Sequence, residues 1–378
     1  MNSDLKRRLI ELTEIPAVSG SEQSMARKMF LALKPLADKT EIDQFGNVTA
    51  TRHGPKEAPS LMITAHSDEV GGIVTSILPT GFLRFQTLGV VGLKALPAAN
   101  VLVSGHLRGV VGAPSSHLSD GAENDRAKGE KDLFIDVGAR DAAEARAWGI
   151  REGSPVTFFN PLHEVGQGGR LCGKAIDNRI GCAILWQLLS DLQGTPLPLT
   201  LHIAITVQEE VTMSGAGMVV YHTRPDFALA VDTMPAADTP DNDAADCTSV
   251  GLGRGVVFQL AEGVPRAFRG TLVHPAIRDL LIRTAEEEGI PYQLSALYGH
   301  WTTDGARIYS ARGGIPCGLV SVPRRYSHTA SEVLDPADAE AALQVLRAVV
   351  LRTGPRVKLS FVDGLEEQSG IATALPTG

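Results

Sequence analysis

The sequence is poor in cysteine, in runs of basic residues and in long hydrophobic stretches, and each shortage excludes a class of protein. Four cysteines are scattered over 378 residues without Cys-x-x-Cys spacing, which favours isolated buried thiols in a reducing cytoplasm: Cys172, Cys182, Cys247 and Cys317. The formal charge is −8 and Lys and Arg form no long run, so nucleic acid is not expected as a partner. No apolar run is long enough to cross a bilayer, and residues 1–10 lack the apolar core of a signal peptide. We therefore expect a cytoplasmic protein with no membrane partner.

The overall composition is that of a soluble globular protein. Hydrophobic residues make up 43% and charged residues 21% of a chain long enough for a large core and two domains. Strand and helix signals alternate over residues 1–69 and 166–378, which predicts an α/β domain whose mostly parallel sheet is covered by helices. Residues 70–165 contain short strand-like pieces punctuated by Gly and Pro. They predict a small antiparallel β-barrel or sandwich inserted into the α/β domain.

Local patterns predict the individual elements. In the α/β part we expect helices over 3–13, from about residue 22, and over 178–193, 214–222, 275–288 and 336–351. The strands expected there cover 40–43, 47–52, 60–65, 199–207, 227–231, 292–296 and 318–321. In the inserted part we expect strands over 81–86, 100–104, 107–112, 133–137 and 155–159, and a helix over 142–148. Ser19 and Glu22 have the spacing of a capping box, and the tail 364–378 is expected to be frayed.

Two adjacent carboxylates, Glu209 and Glu210, follow the apolar, β-branched run 199–207. Such a run is long enough for a buried strand. Neighbouring side chains on a strand point to opposite faces, so we expect the two carboxylates to have different roles. One can face a metal ion while the other faces a reacting water. An acidic pair alone more often marks a solvated turn, so its interpretation depends on the rest of the chain.

Several other predicted strand ends carry residues of metal-ligand type, at the edge where open α/β sheets collect their chemistry. His66 ends a strand, and Asp68 follows closely enough to hold its imidazole in one tautomer. Asp177 precedes a helix, where a carboxylate either caps the helix or bridges two metals. Asp232 follows a strand, and His328 lies on a polar loop.

Each of these residues has an ordinary structural explanation when it is taken alone. A buried structural histidine, a helix cap, a turn residue and an exposed loop residue would account for His66, Asp177, Asp232 and His328. The ordered set His-x-Asp, Asp, Glu-Glu, Asp, His is specific. Two imidazoles and three carboxylates are the nitrogen and oxygen ligands that zinc, cobalt or manganese prefers. One carboxylate is left to act as a base.

Four segments together resemble the M42 family of metallo-aminopeptidases, cytoplasmic co-catalytic enzymes related to glutamyl aminopeptidase. The segments are Ala65-His66-Ser67-Asp68-Glu69-Val70-Gly71-Gly72, Gly173-Lys174-Ala175-Ile176-Asp177-Asn178-Arg179, Gln208-Glu209-Glu210-Val211 and Pro323-Arg324-Arg325-Tyr326-Ser327-His328. The resemblance covers nearly the whole chain, including residues 109–112 and 135–140 of the inserted part. The long gap between Asp68 and Asp177 places a domain directly after His-x-Asp. This position is similar to M42 rather than to the related M20 and M28 peptidases.

The resemblance implies a zinc-exopeptidase-like fold and a site for two divalent metal ions per subunit. Zinc or cobalt is expected, with manganese as a further alternative. One ion would be held by His66 and Asp232 and the other by Glu210 and His328. Asp177 would bridge the two ions.

The remaining site residues are also assigned by the resemblance. Asp68 would orient His66, and Glu209 would be the general base. Asp304 is assigned to substrate binding, although the family's Gly-Gly-Thr-Asp segment reads Trp301-Thr302-Thr303-Asp304 here. Residues 212–215 likewise replace a Gly-Leu-Arg-Gly type of segment. Both changes can reshape the substrate pocket, so the family's residue preferences are not transferred.

The implied function is an aminopeptidase that removes N-terminal residues from short peptides. The resemblance also implies a homo-oligomer, either a dodecamer or the simpler dimer. One alternative is an endoglucanase-type glycoside hydrolase, which needs two carboxyl groups about 5–9.5 Å apart. A second is a non-catalytic, metal-stabilised assembly protein, which would have no need of Glu209. A serine hydrolase is disfavoured because no Gly-x-Ser-x-Gly segment is present.

Overall fold

A large mixed sheet, a closed barrel and a set of helices make up the fold. The computed structural model describes residues 3–114, 117, 129–240, 249–264, 269–299, 301–354, 359 and 361. Its strands in chain order are β1 (Lys39–Ile42), β2 (Val48–Arg52), β3 (Ser60–His66), β4 (Gly71–Ile77), β5 (Leu83–Leu88), β6 (Asn100–Val103), β7 (Leu107–Gly112), β8 (Phe134–Asp136), β9 (Pro155–Phe158), β10 (His163–Val165), β11 (Arg170–Gly173), β12 (Thr200–Thr206), β13 (Phe227–Pro235), β14 (Val256–Gln259), β15 (Ala261–Val264), β16 (Arg269–Leu272), β17 (Tyr292–Ser295), β18 (Cys317–Arg325) and β19 (Glu332–Leu334). Its α-helices span Ser3–Thr13, Gln23–Leu33, Ala142–Ala147, Ile176–Asp191, Glu209–Thr212, Ser214–Thr223, Pro275–Glu288, Gly305–Tyr309 and Pro336–Arg352.

Four parallel strands form the centre of the large sheet, in the order β12, β3, β13 and β18. Antiparallel strands flank this centre: β2 and β1 on one side, and β19, β11 and β10 on the other. Strand β14 pairs antiparallel with β18 and parallel with β17. The predicted fold class is confirmed, with antiparallel strands added at the flanks. Because the central strands are parallel, their carboxyl ends meet at one edge of the sheet.

The central strands are buried on both faces, which explains their continuous apolar runs. Ile63 and Ile203 face a cluster built with the helices Ser3–Thr13, Ile176–Asp191 and Pro336–Arg352. Their direct neighbours in the two strands, Met62 and Ala204, face the opposite cluster, which includes residues of the helix Ser214–Thr223 and Ile308. This alternation follows from the two-residue period of a strand. A fully buried Ile or Leu contributes about 1.5–3 kcal/mol.

The predicted inserted barrel is present and closes in the strand order β4, β5, β8, β7, β6 and β9. Strand β7 coincides with its predicted range, but β4 was missed, and the strand predicted from residue 81 begins at Leu83. Gly81 instead forms a turn with φ of 86°, where a Cβ would lie 2.3 Å from the carbonyl oxygen of Ala139. The barrel strands end at Phe158, whereas β10 joins the large sheet. The domain limits 70 and 165 remain a prediction.

The capping box predicted before the helix Gln23–Leu33 is wrong. Glu22 is the N-cap residue, but its side chain makes no capping hydrogen bond. Ser19 Oγ donates to Asp68 Oδ2 over 2.6 Å, and Glu22 Oε1 accepts from the backbone N–H of Gln208 at 3.1 Å. Both side chains are used for tertiary contacts to the functional edge of the sheet.

Two further features of the described chain concern the cysteines and membranes. Cys172, Cys182 and Cys317 are buried and unpaired, while Cys247 lies outside the described residues. None of the helices among the described residues is long and apolar enough to cross a membrane. The tail 364–378 also lies outside the described part of the chain.

Candidate active site and metal centre

The carboxyl edge of the central sheet brings the predicted ligand residues together. His66 is the last residue of β3, and Asp232 lies within β13 rather than after it, because this strand continues to Pro235. His328 follows β18 on a loop, in a left-handed conformation with φ of 57°. Among the described residues, two groups have potential ligand atoms within 4.8 Å of one another: His66, Asp177 and Asp232, and Asp177, Glu210 and His328.

Glu209 and Glu210 lie in a helical turn, Glu209–Thr212, and not at the end of a strand. Strand β12 ends at Thr206, and Gln208 turns the chain with a left-handed φ of 58°. The expectation that the two carboxylates point to opposite faces of a strand is therefore wrong in its geometry. Successive helical residues are about 100° apart around the axis, so the carboxylates still diverge. Glu209 Oε2 lies 3.8 Å from His66 Nε2, and Glu210 Oε2 lies 3.4 Å from His328 Nε2.

The first ligand group is arranged around His66. Its Nε2 lies 3.1 Å from Asp177 Oδ1 and 3.6 Å from Asp232 Oδ1. Its Nδ1 lies 3.2 Å from the carbonyl oxygen of Asp68 and 3.5 Å from the carboxylate of that residue. Because a carbonyl oxygen can only accept, Nδ1 carries the hydrogen and Nε2 faces the ligand group. This placement supports the orienting role predicted for Asp68.

The second ligand group is arranged around His328. Its Nε2 lies 3.2 Å from Asp177 Oδ2, and its Nδ1 donates to the carbonyl oxygen of Val90 at 2.8 Å. Glu210 Oε1 is buried without a hydrogen-bond partner among the described residues. A buried carboxylate oxygen without a partner is costly, so this atom is well suited to bind a cation.

Asp177 belongs to both groups and presents one oxygen to each histidine. It lies at the start of the helix Ile176–Asp191, but its ψ of 112° is not helical. Asn178 Oδ1 accepts from the backbone N–H of Gly181 at 3.1 Å, as a capping side chain does. Of the two roles left open for Asp177, the cap therefore falls to Asn178, and the bridge between two metals stays a prediction.

The site concentrates negative charge in a buried space. Burial, reinforced by neighbouring carboxylates, raises the pKa of Glu210 to about 8 and also raises the pKa of Asp232 and of Glu209. Burial lowers the pKa of His328, but the carboxylates of Glu210 and Asp177 together outweigh this effect and raise that pKa to about 9. Burial also lowers the pKa of His66, but Asp232, Asp177 and Asp68 together raise it well above the ordinary value. Carboxylates and imidazoles clustered in this way fit the donor set of divalent metal ions.

The carboxylate of Asp68 fixes the start of the Glu209–Thr212 turn. Its Oδ1 accepts from Glu209 N at 3.0 Å, and its Oδ2 accepts from Glu210 N at 3.1 Å. The side chain is fully buried, and its third partner is Ser19. Asp68 therefore holds both the imidazole of His66 and the acidic pair.

Sequence reasoning missed two buried residues that position the ligands. Glu332 accepts hydrogen bonds from Asp177 N at 2.9 Å, His328 N at 2.9 Å and Arg324 Nε at 3.0 Å. Arg324 also forms an ion pair with Asp177 Oδ2. Both residues are only 2% exposed. The signal in the sequence that could have indicated them is their spacing, because Arg324 lies four positions before His328 and Glu332 lies four positions after it.

Three charged residues of the resembling segments form a buried ion cluster behind the site. Lys174 Nζ donates to both carboxylate oxygens of Glu69, at 2.8 and 2.7 Å. Arg179 lies 3.2 Å from the same carboxylate and donates to the carbonyl oxygen of Ile15 at 2.9 Å. Arg179 also donates to the carbonyl oxygen of Leu12, so the cluster joins the segment after β3, the segment around Asp177 and the end of the N-terminal helix.

Asp304 lies below the cavity wall rather than on it. It is 2% exposed, and its Oδ2 accepts from Thr206 Oγ1 at 2.6 Å. Burial raises its pKa to about 7. Its assignment to substrate binding therefore remains an untested prediction.

Both ligand groups open into a cavity of about 530 Å³, a size suited to a small ligand. Its wall combines Val90 and Gly92, from the segment between β5 and β6, with Met213, Trp301 and Thr302 from the α/β part. A separate groove of about 590 Å³ lies between the helix Gln23–Leu33 and the β1–β2 hairpin and contains none of the ligands. The candidate metal site therefore lies in the first cavity.

A helix-covered mixed sheet with ligands at its carboxyl edge and a closed barrel define the class of zinc-exopeptidase-like hydrolases. The chain belongs to the M42 glutamyl aminopeptidase family, whose family model matches residues 46–345. The glutamyl aminopeptidase of Lactococcus lactis subsp. cremoris is 30% identical over 347 residues, 90% of this chain and 94% of that protein. The lysyl aminopeptidase of Pyrococcus furiosus is 28% identical over 353 residues, 91% of this chain and 96% of that protein. The predicted aminopeptidase class is confirmed.

Solved structures of the family superpose closely on this chain. The TET aminopeptidase of Thaumarchaeota archaeon SCGC AB-539-E09 matches with a TM-score of 0.87 and 30% identity, covering 94% of this chain and 98% of that chain. The TET1 peptidase of Pyrococcus horikoshii matches with a TM-score of 0.80 and 27% identity, covering 92% and 99%. That protein is described as able to assemble into a tetrahedron or a large octahedral shell.

Proposed function

We propose that the protein is a two-metal aminopeptidase that removes residues one at a time from the N-termini of short peptides. The observation that carries this proposal is the pair of ligand groups sharing Asp177. Glu209 belongs to neither group, yet it lines the same cavity. This arrangement supports a division between five metal ligands and one free carboxylate.

The mechanism assigns a task to each part of the site. Two divalent ions, zinc or cobalt with manganese as an alternative, would be held by His66, Asp177, Glu210, Asp232 and His328, and would activate a water and polarise the scissile carbonyl. Glu209 accepts the proton of the attacking water and delivers it to the leaving amine. Burial holds the pKa of Glu209 well above its ordinary value, which suits a carboxylate that must carry a proton between two steps. Arg324 and Glu332 keep Asp177 in place throughout.

The experiment is a panel of aminoacyl-p-nitroanilides assayed with cobalt, zinc and manganese in turn. Exhaustive chelation should abolish turnover, and returning the metal should restore it. Full activity in a verified metal-free protein would refute the two-metal mechanism. For the glycoside hydrolase alternative, the decisive result would be cleavage of a cellulose oligomer that survives chelation. The non-catalytic alternative predicts metal uptake without turnover of any peptide.

Assembly and location complete the proposal. The assembly described for the P. horikoshii structure supports a homo-oligomer here, either a dodecamer or the simpler dimer. Light scattering on the purified protein distinguishes these sizes, and a fully active monomer would contradict them. The three described cysteines are unpaired, which fits a reducing cytoplasm. Recovery of the native protein outside the cytoplasmic fraction would contradict that location.

A further inference from the structure

The imidazole of His328 is oriented by the inserted barrel part of the chain. Its Nδ1 donates to the carbonyl oxygen of Val90 at 2.8 Å, across 238 residues of sequence. Because a carbonyl only accepts, this contact leaves Nε2 to face Asp177 and Glu210. The other histidine differs: His66 is held by Asp68, two residues away in the chain.

The Val90 carbonyl is placed by the packing of the barrel. Val91 is 9% exposed and belongs to the hydrophobic core of the barrel. Gly89 has φ of 83°, and a Cβ there would lie 2.7 Å from Val70 Cγ1. The side chain of Val90 itself is 80% exposed. The backbone oxygen, and not the valine side chain, is therefore the positioned group.

A second contact joins the barrel part to the loop that carries His328. Asn160, just after β9, donates from Nδ2 to the carbonyl oxygen of Ala330 at 2.8 Å and to Ser331 Oγ at 3.2 Å. Ala330 also packs against the hydrophobic core of the barrel. The loop is thus tied to the barrel part through the imidazole itself and through the residues two and three positions after it.

We propose that the barrel sets the metal affinity of the group Asp177, Glu210 and His328, and leaves the affinity of the group His66, Asp177 and Asp232 unchanged. Losing the partner that orients a ligating histidine typically costs about 10–100-fold in metal affinity. The coupling is reciprocal, so metal bound at this group also stabilises the docked barrel. The inference rests on the proposed function, because it requires that both ligand groups bind metal.

The test compares variants of the barrel part in calorimetric titrations of the metal-stripped full chain with Co²⁺, alongside the visible absorption of each bound ion. Asn160→Ala removes the loop contact, and Gly89→Ala displaces the Val90 carbonyl. Asn100→Ala, at an exposed position of β6, and Val90→Ala, which keeps the carbonyl, are matched controls for metal affinity. Each titration yields two Co²⁺ affinities, one for each ligand group. In Asn160→Ala and Gly89→Ala, one of these affinities should fall at least 10-fold while the other stays within twofold of the wild-type value. Asp232→Asn removes a ligand of the group His66, Asp177 and Asp232, and the affinity that remains in this variant therefore belongs to the other group. Adding Asn160→Ala or Gly89→Ala to Asp232→Asn should lower that remaining affinity.

The outcomes separate this inference from the proposed function. A wild-type chain that takes up fewer than two ions refutes the two-metal proposal itself. Two ions in the wild type with equal losses at both groups, or with no loss in either variant, overturn the barrel inference alone. Circular dichroism checks folding, and Asn160→Ala decides the result if Gly89→Ala does not fold.

Discussion

Replacing Glu332 with glutamine tests how strongly a residue outside the ligand set controls the metal centre. Glu332 Oε2 accepts from Asp177 N, while Oε1 accepts from His328 N and Arg324 Nε. Glutamine has a single acceptor oxygen. It can keep the two bonds at Oε1 only by turning its NH₂ group towards the backbone N–H of Asp177. One buried donor is then left without an acceptor.

The size of the effect follows from that lost hydrogen bond. A buried donor left unsatisfied costs about 1–3 kcal/mol. If this cost falls on the ligand arrangement, the metal affinity weakens by about 5–150-fold. Because Asp177 belongs to both ligand groups, both affinities should fall, unlike the single loss expected for the barrel variants.

The assay is calorimetric metal titration of the stripped protein, combined with kcat/KM on a p-nitroanilide substrate. Glu57→Gln, which changes an exposed glutamate in a loop, is the matched control and should leave both quantities unchanged. Wild-type affinities in Glu332→Gln would refute the role assigned to this residue. A loss confined to one group would refute the bridging role of Asp177.

Three further predictions concern the base, the pH dependence of stability and the substrate. Glu209→Gln should keep its metal and lose about 10²–10⁴-fold in rate, as expected for a general base, whereas Glu210→Gln should lose metal. Elemental analysis measures the metal content, and equal metal loss in the two variants would contradict the assignment. Burial raises the pKa of Glu262 to about 8, so unfolding releases its proton and stability falls as the pH rises from about 4.5 to 8. Between pH 5 and 8 the free energy of unfolding should therefore fall less in Glu262→Gln than in the wild type, by at most about 4 kcal/mol in denaturant titrations. An unchanged pH dependence would show that the Glu262 carboxyl group is not buried and neutral. In the described wall of the cavity the one Arg or Lys side chain is Arg324, which is paired with Asp177 and Glu332. Aminoacyl-p-nitroanilides with a neutral side chain should therefore be cleaved faster than that of Glu, and a preference for Glu would show that another cationic side chain completes the pocket.

Local signals were enough to predict the elements in which those signals agree with burial. The helix Pro275–Glu288 matches its predicted range because Pro275 suits the first turn and Gly289 takes the left-handed conformation that ends the helix. The residue types of the ligand set could also be identified, because imidazoles and carboxylates recur where apolar strands end. Their order along the chain was enough to indicate the M42 family, and the family match confirms this.

How those residues meet depends on contacts that form only in the folded chain. Ser19 was predicted to cap a helix, yet it bonds to Asp68, because a buried carboxylate at hydrogen-bond distance is a better partner than the helix end. The acidic pair was predicted on a strand and lies in a helical turn, because Asp68 accepts both of its backbone N–H groups. The spacing of Glu332 from His328 gave no sign of its bond to Asp177, 155 residues away, and the Val90 carbonyl had no local signal at all, since its partner lies 238 residues away in the chain. Periodicity reports on neighbours within a few positions, whereas contacts of this kind exist only after the sheet and the barrel have packed together.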